Sequence, residues 1–235
     1  MDKPIGSEKE LEELRKEMQS FSYSISHDFQ APVRRIIGMG QILKEDHSQG
    51  LDDKGRKYLD IIVAEATRMN EMIGDLLIWS RANASAISKK EMDLSRMVKD
   101  LIDEQRSRSG APEIVSNVCS GLRAEGDPAL IETALRELVD NAVKFSDPGK
   151  ARTIEFGHDP SADGGAFFIR DEGVGFDMSH PERLFKPFQR FHGAEFPGDG
   201  MGLAIASLVI RKHGGRIWAR SDPGKGTTIF FALGP

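Results

Sequence analysis

The chain has 235 residues but only one cysteine, Cys119, and no apolar run near the ~18 residues that a membrane span needs. A single cysteine excludes an internal disulfide and is typical of a reducing compartment, so we expect a cytoplasmic region of a protein that is either soluble or membrane-anchored. The first ten residues, MDKPIGSEKE, lack the apolar core of a signal peptide. The six histidines show no metal-ligand spacing, which argues against structural zinc. A net charge of −5, without a cluster of basic and aromatic residues, argues against a nucleic-acid partner.

The first third of the chain is helical in character, with apolar residues at alternating spacings of three and four. These residues are Leu11, Leu14, Met18, Phe21 and Ile25. Such spacing predicts a coiled-coil seam. Two further steps of four, from Ile25 through Phe29 to Val33, form a stutter that unwinds the supercoil, and Pro32 removes a helix hydrogen bond at the same place. We therefore predict a bend near residues 28–32.

A second helix is predicted after the segment DHSQGLDD, which offers a glycine and an aspartate cap. Its apolar face is marked by Tyr58, Ile62, Met69, Ile73 and Leu76, and we expect it to end near Arg81. A hairpin of two helices with one apolar stripe each cannot bury those stripes alone. Residues 7–86 are therefore predicted to form an all-α helical hairpin that pairs with a second copy as a dimeric four-helix bundle.

The small, polar segment ANASAISKK is typical of a linker, and residues 89–235 are predicted to form a second domain with a mixed pattern. Strands are predicted at 113–118, 152–157, 166–170, 216–220 and 227–233, and helices at 94–106, 128–145 and 202–213. The order of helices and antiparallel-looking strands predicts an α+β two-layer sandwich.

His27 is two residues from both Ile25 and Phe29, so it projects away from the apolar stripe. An exposed histidine is most often incidental. The carboxylate of Asp28 can fix the tautomer of the ring and leave the other nitrogen free as a nucleophile, although adjacent helical residues diverge, so that this contact depends on the local bend.

A second group of polar residues, Glu137, Asn141 and Lys144, shares one face of a predicted helix. An amide oxygen can complete the shell of a Mg²⁺ ion held between phosphates, and a lysine adds a cation for them. A solvated polar face on an amphipathic helix explains the same pattern.

Two glycine-containing segments follow. Asp171 ends an apolar strand before Gly173 and Gly175, where a carboxylate can accept the amino hydrogen of an adenine, although Asp-x-Gly is also common in plain turns. Three glycines precede the last long helix, where backbone N–H groups can cradle phosphates; they are Gly198, Gly200 and Gly202. A Rossmann interpretation does not fit because no parallel βαβ series surrounds them.

These segments occur in the order in which sensor histidine kinases carry their motifs. SISHDFQAP resembles the H-box, ELVDNAVKFS the N-box, FFIRDEGVGFD the G1 box, GDGMGLAIASLVIRKHGG the G2 box and DPGKGTTIFFALG the G3 box. RLFKPFQRFHGAEFPGD is similar to the F-box and ATP lid of the family, and its sequence most resembles that of phytochrome-type histidine kinases. The resemblance implies a protein-histidine kinase whose second domain has the Bergerat-type ATP-binding fold.

The resemblance also implies individual roles, with ATP and Mg²⁺ as ligands. These are His27 as phosphoacceptor with Asp28 beside it, Asn141 for Mg²⁺, Glu137 for the metal shell or positioning, Lys144 for phosphate, Phe145 and Thr227 for the nucleotide, Asp171 for adenine, and Arg190 as a lid cation at the terminal phosphate.

The implied partners are a second copy of the chain, bound through the hairpin, and the receiver domain of a response regulator. An upstream sensor domain is expected in the family and is not part of this sequence.

Two residues depart from the family pattern. Ala31 replaces a residue that orients water, which predicts weak phosphatase activity, and Asp199 puts a negative charge in the phosphate loop. A scaffold without turnover and an ATPase without a histidine acceptor are the alternatives to a kinase.

Overall fold

The computed structural model describes residues 28–108, 113–146, 151–191, 196 and 198–234. His27 and the heptad positions from Leu11 to Ile25 lie outside these ranges. The chain separates into two compact units that divide between Ala84 and Ser85. The domain limits 7–86 and 89–235 stay predictions.

The described part of the first unit contains two helices, α1 over residues 28–46 and α2 over Asp53–Ala84. A short 3₁₀ turn, Ser48–Gly50, lies between them. The predicted aspartate cap of α2 is confirmed, since Asp52 Oδ1 accepts the N–H of Gly55 at 2.7 Å. Helix α1 continues through Pro32, and α2 extends three residues beyond Arg81.

Nine large apolar side chains of these two helices are exposed in the single chain. The exposed set is Phe29, Ile36, Met39, Ile42, Leu43, Tyr58, Ile61, Ile62 and Met69, against four buried apolar residues, Val33, Leu59, Ala66 and Ala82. Exposed large apolar side chains in this number are typical of helices that pack against a partner. In the ranges that the structure describes, no helix combines the length and the hydrophobicity of a membrane span.

The second unit contains a five-stranded sheet, a separate strand pair and three helices. The strands are β1 (Lys90–Asp93), β2 (Ile114–Val118), β3 (Arg123–Gly126), β4 (Arg152–Asp159), β5 (Ala166–Asp171), β6 (Arg216–Ser221) and β7 (Thr227–Ala232). The helices are α3 (Leu94–Ser107), α4 (Pro128–Lys144) and α5 (Gly202–Lys212), with a 3₁₀ turn at Pro181–Arg183. The sheet order is β2-β4-β5-β7-β6, and β1 pairs with β3. The predicted α+β sandwich is confirmed.

Three features of the strands were not predicted. The sequence KEMD of β1 and the sequence RAEG of β3 were not predicted as strands, because short, charged segments lack the β-branched pattern that indicates one. β2 pairs with β4 in parallel, whereas every other pair in the sheet is antiparallel.

α4 is the central helix of the unit, because it packs against α3, α5 and strands β4 and β5. Its buried stripe recurs at helical spacing through Ile131, Ala134, Leu135, Leu138, Val139 and Ala142. Helix α5 also contributes to the core of the unit, since Ile205 and Val209 are fully buried. The remaining face of α4 therefore carries the polar residues that the sequence marks as candidates.

Candidate active site

The polar face of α4 is held in place at both ends of the helix. At the start, Asp127 Oδ1 accepts the N–H groups of Ala129 and Leu130 at 3.1 and 3.2 Å. At the end, the N–H of Phe145 donates to the carbonyl of Asn141 at 3.0 Å, and the carbonyl of Phe145 accepts the N–H of Val174 at 2.9 Å. Helix α4 is thus fixed to the loop after β5.

The structure brings the polar face of α4 together with the glycine-rich segment before α5. A side-chain carbon at Gly202 would lie 2.6 Å from Oε2 of Glu137 and 3.4 Å from Nδ2 of Asn141. A side-chain carbon at Gly198 would collide with Nζ of Lys144. Two motifs that the sequence separates by more than fifty residues therefore form one surface.

The start of α5 differs from the starts of α3 and α4. Asp93 and Asp127 cap α3 and α4 with their carboxylates, whereas the N-cap of α5, Met201, makes no side-chain cap bond. Backbone N–H groups in the first turn of a helix need an acceptor, and an anion can supply it. This start lies beside Glu137 and Asn141, so it is the phosphate-binding candidate of the site.

Asp199 lies inside the same glycine-rich segment and is 8% exposed. Its Oδ1 accepts the N–H of Met201 at 2.9 Å, and Oδ2 has no hydrogen-bond partner among the described residues. An unpartnered buried carboxylate oxygen costs about 1–3 kcal/mol or more. The departure from the family pattern is therefore a buried negative charge within the loop.

Asp171 ends β5 and lies opposite Thr227 of β7 in the sheet register. Its Oδ1 accepts the N–H of Gly173 at 2.9 Å and the N–H of Thr227 at 3.1 Å. Burial raises the pKa of Asp171 to about 6, and the two backbone hydrogen bonds lower it by less. Thr227 thus binds Asp171 through its backbone N–H, while its hydroxyl is hydrogen-bonded to Ser221 Oγ at 2.9 Å.

The glycines around Asp171 serve two different purposes. Gly175 has φ +57°, in the left-handed region, as predicted. Gly173 has no such φ, and glycine is needed there because a side-chain carbon would collide with the carbonyl of Phe145. Gly226, which was not predicted from the sequence, has φ +86° and lies against the carbonyl of Asp171.

Ser221 is a second residue that was not predicted from the sequence. Its hydroxyl donates to the carbonyl of Gly226 at 3.0 Å and accepts the N–H of Phe176 at 2.9 Å. It therefore connects the loop after Asp171 to the β6–β7 turn. A serine at a strand end gives no sequence signal for this role.

The segment before the glycine loop contacts the end of α4. The Phe196 ring lies 5.3 Å from the Phe145 ring, and Lys144 Nζ lies 4.7 Å from the Phe145 centroid. Arg190 is exposed, and its Nη2 donates to the carbonyl of Phe196 at 2.8 Å. Arg190 is thus within reach of the residues that flank Lys144.

A second anchor ties this segment to the glycine loop. The guanidinium of Arg183 donates twice to Oε1 of Gln189, at 3.0 and 2.7 Å, and the backbone of Gln189 lies against Gly200. Phe188, next to it, has φ +59° and is half exposed. A bulky residue in the left-handed region is strained, and such strain is frequent at functional sites.

Of the acceptor motif, the structure describes only the part that follows His27. Asp28 is exposed and lies at the start of the described helix. The contact between His27 and Asp28 stays a prediction.

Comparison with known proteins identifies both units. Residues 17–85 match the His Kinase A (phospho-acceptor) domain, and residues 126–234 match the histidine kinase-, DNA gyrase B-, and HSP90-like ATPase family. The chain therefore belongs to the sensor histidine kinases, of which it carries the phosphoacceptor and ATPase domains.

Individual relatives agree with that assignment. Cyanobacterial phytochrome B of a Nostoc species is 31% identical over 228 residues, which cover 95% of this chain and 30% of the relative. Phytochrome-like protein Cph1 of a Synechocystis species is 29% identical over 224 residues, which again cover 95% of this chain and 30% of the relative. The chain thus spans about a third of the length of these relatives.

A solved structure agrees in fold. Full-length ShkA, crystallised with AMPPNP, matches with a TM-score of 0.62 at 23% identity, over 92% of this chain and 47% of that one.

Replacing Asp171 by Asn should change how stability depends on pH. The raised pKa means that the folded chain binds a proton more tightly than the unfolded chain, so the parent loses stability as pH rises from about 4 to above 6. The amide of the variant carries no charge, so the variant should gain up to about 3 kcal/mol relative to the parent between pH 4 and pH 7.5. Urea unfolding of both proteins at the two pH values measures this gain, and a pH-independent difference would contradict the assignment.

Proposed function

We propose that this chain is an ATP-dependent protein-histidine kinase that phosphorylates its own His27. The phosphoryl group then passes to an aspartate in the receiver domain of a response regulator. The observation that carries the proposal is the single surface formed by the polar face of α4 and the start of α5, where Gly202 lies against Glu137 and Asn141. This surface belongs to a chain whose other unit matches a phosphoacceptor domain.

The residues of this surface fit a nucleoside triphosphate. The uncapped start of α5 and the glycines at 198, 200 and 202 offer backbone N–H groups and room for phosphate oxygens. Asp171 offers a carboxylate to the amino group of adenine, and Phe145 offers a ring for packing. The similar ShkA structure contains the ATP analogue AMPPNP, which agrees with ATP as the phosphoryl donor.

A magnesium ion fits the same surface if phosphate oxygens complete its shell. In the described part of the chain, no three His, Cys, Asp or Glu side chains cluster so as to hold a metal ion alone. Mg²⁺ commonly binds through one or two protein oxygens plus phosphates and water. We assign Asn141 as its protein ligand, with Glu137 in the metal shell or positioning it, and the ion would supply charge neutralisation between the phosphates.

The phosphoryl transfer requires little covalent chemistry from the protein beyond its acceptor. The free nitrogen of His27 attacks the γ-phosphorus in line as the bond to ADP breaks, and Asp28 holds the ring by its other nitrogen. Lys144 and Arg190 stabilise the negative charge that is transferred. For this step, the ATPase unit must bring the γ-phosphate to His27.

The proposed partners follow from the first unit. The exposed apolar side chains of α1 and α2 fit pairing with a second copy in a four-helix bundle. A receiver domain would dock near His27, and Ala31, which cannot orient a water, would leave the reverse dephosphorylation weak. The greater length of the relatives fits a parent protein with an upstream sensor domain.

Labelling should distinguish the kinase from its two alternatives. Incubated with Mg²⁺ and γ-labelled ATP, the chain should gain an acid-labile, alkali-stable label, and His27→Gln should gain none, because only this imidazole is the acceptor. His47→Gln, which changes an exposed histidine in the α1–α2 connection, serves as the control and should label normally. Free phosphate without protein label would indicate an ATPase, and neither product would indicate a scaffold.

Replacing Asn141 by Asp should reduce labelling roughly 100-fold or more, because a carboxylate next to Glu137 repels the phosphates. Light scattering should find the dimer intact. Asn117→Asp, the same change at an exposed position of β2, should label like the parent. Dissociation of the Asn141 variant into monomers would instead assign Asn141 a structural role.

Replacing Asp199 by Asn should tighten nucleotide binding roughly threefold to tenfold, since the change removes a buried negative charge from the phosphate loop and keeps the oxygen that binds Met201. Isothermal titration with an ATP analogue and Mg²⁺ measures the affinity. Asp163→Asn removes an equal charge from the exposed β4–β5 turn and should leave it unchanged. Weaker binding by the Asp199 variant would mean that this carboxylate helps to hold the metal–nucleotide complex.

A further inference from the structure

Asp127 makes more hydrogen bonds than a helix cap requires. It lies between β3 and α4, and its Oδ1 accepts the two N–H groups of the first turn of α4. Its Oδ2 accepts the backbone N–H of Ser88 at 3.0 Å, and its own N–H donates to Nε2 of His213 at 2.9 Å. The bond from Ser88 is the largest cause of a lowered pKa of Asp127. One residue therefore joins three parts of the unit.

The first of these parts is the segment by which the chain enters the ATPase unit. Ser88 lies four residues after Ala84, where the first unit ends, and two residues before β1. β1 pairs with β3 so that Lys90 lies opposite Gly126, the residue before Asp127. The entering segment is therefore bound to Asp127 both by the strand pair and by the carboxylate.

The second part is the end of α5. His213 follows the last residue of α5, is 2% exposed, and has Nδ1 at 2.8 Å from the carbonyl of Val209. Because that carbonyl can only accept, Nδ1 carries the proton and Nε2 accepts from Asp127. Gly126 packs closely here, since a side-chain carbon at this position would lie 2.9 Å from Cε of Met92 and 3.2 Å from Cδ2 of His213.

The third part is α4 itself, which carries Glu137, Asn141 and Lys144. α5 begins at the glycines of the phosphate loop, so the two helices fixed at Asp127 are the two that form the candidate site. A shift of the entering segment would therefore act on α4 at its first turn and on α5 at its last.

From these contacts, we propose that Asp127 is a positioning residue for the kinase reaction, which fixes the entering segment 85–89 to the two helices of the ATP site. The inference rests on the proposed function, because it concerns the delivery of the γ-phosphate to His27. Asp127 touches no substrate. Its Oδ2 sets where the segment from the phosphoacceptor unit is held, and its Oδ1 and N–H set where α4 and α5 are held.

Asp93 is the control that distinguishes a positioning role of Asp127 from simple helix capping. Its side chain accepts the N–H of Arg96 at 2.9 Å and caps α3 as Asp127 caps α4. In the described residues, its carboxylate has no bond to the entering segment. Asparagine is nearly as good a cap as aspartate, so Asp→Asn keeps the cap at both positions. At position 127 alone, it also replaces the oxygen that faces Ser88 by an NH₂ group, which repels that N–H.

The test compares the variants Asp127→Asn and Asp93→Asn in the full chain. The measured quantity is the rate at which His27 is labelled at saturating Mg²⁺-ATP. We expect the Asp127 variant to label roughly fivefold or more slowly, because small misplacements of reacting groups strongly reduce rates. The Asp93 variant should label within about twofold of the parent, and both variants should keep the parent's nucleotide Kd and Tm. Ser88→Pro, which removes the donor N–H, should slow labelling as well, and its combination with Asp127→Asn should add nothing further.

The outcomes separate the inference from the function on which it rests. A labelled parent with an unchanged rate in Asp127→Asn would overturn the inference alone. An equal loss in Asp93→Asn, or a weakened Kd or lowered Tm in Asp127→Asn, would assign Asp127 to folding and would also overturn it. A parent without label would overturn the proposed function and this inference together.

Discussion

The close packing of α4 against α5 is the contact on which the candidate site depends. The two helices pack against each other, and the start of α5 lies beside the polar face of α4, where Gly202 is next to Glu137 and Asn141. A side-chain carbon at Gly202 would lie 2.6 Å from Oε2 of Glu137, so a larger residue there would require the Glu137 side chain to shift. The start of α5, which is the phosphate-binding candidate, and Asn141 of α4, which is the metal-binding candidate, therefore lie next to each other.

In the proposed function, the charges of the site favour a metal–nucleotide complex over a bare nucleotide. Glu137, Asp171 and Asp199 bring carboxylates to the site, and Lys144 and the start of α5 bring positive charge. A triphosphate adds several further negative charges, so a divalent cation would relieve a repulsion that the protein relieves only in part. Asp171 lies at the far end of β5, where burial rather than repulsion raises its pKa.

Much of the fold could be predicted from the sequence, because the long elements carry strong periodicity. The helices near 94–106, 128–145 and 202–213 and the five strands of the main sheet are found close to their predicted limits. β1 and β3 could not be predicted, since they are four residues long and mostly charged, and their pairing with each other is a tertiary contact. The shared face of Glu137, Asn141 and Lys144 followed from helical spacing, whereas its contact with Gly202 depends on tertiary packing.

The residues that the sequence did not reveal act through their backbone or through distant partners. Ser221 and Gly226 support Asp171 from another strand pair, and Asp127 binds Ser88 and His213, which are 39 and 86 positions away. Such roles leave no local pattern, because the same residue types occur in ordinary turns and caps. The sequence predicted that Gly173 and Gly175 permit close backbone approach and positive φ, and the structure divides these two properties between them, with the close approach at Gly173 and the positive φ at Gly175.

Autophosphorylation of His27 is best tested by locating the phosphoryl group on the chain. The full chain, incubated with Mg²⁺-ATP and digested under alkaline conditions that preserve phosphohistidine, would be mapped by mass spectrometry. We expect a phosphoryl group on the peptide that contains His27 and on no other histidine. Phosphate found only free in solution, or bound to a different residue, would contradict it.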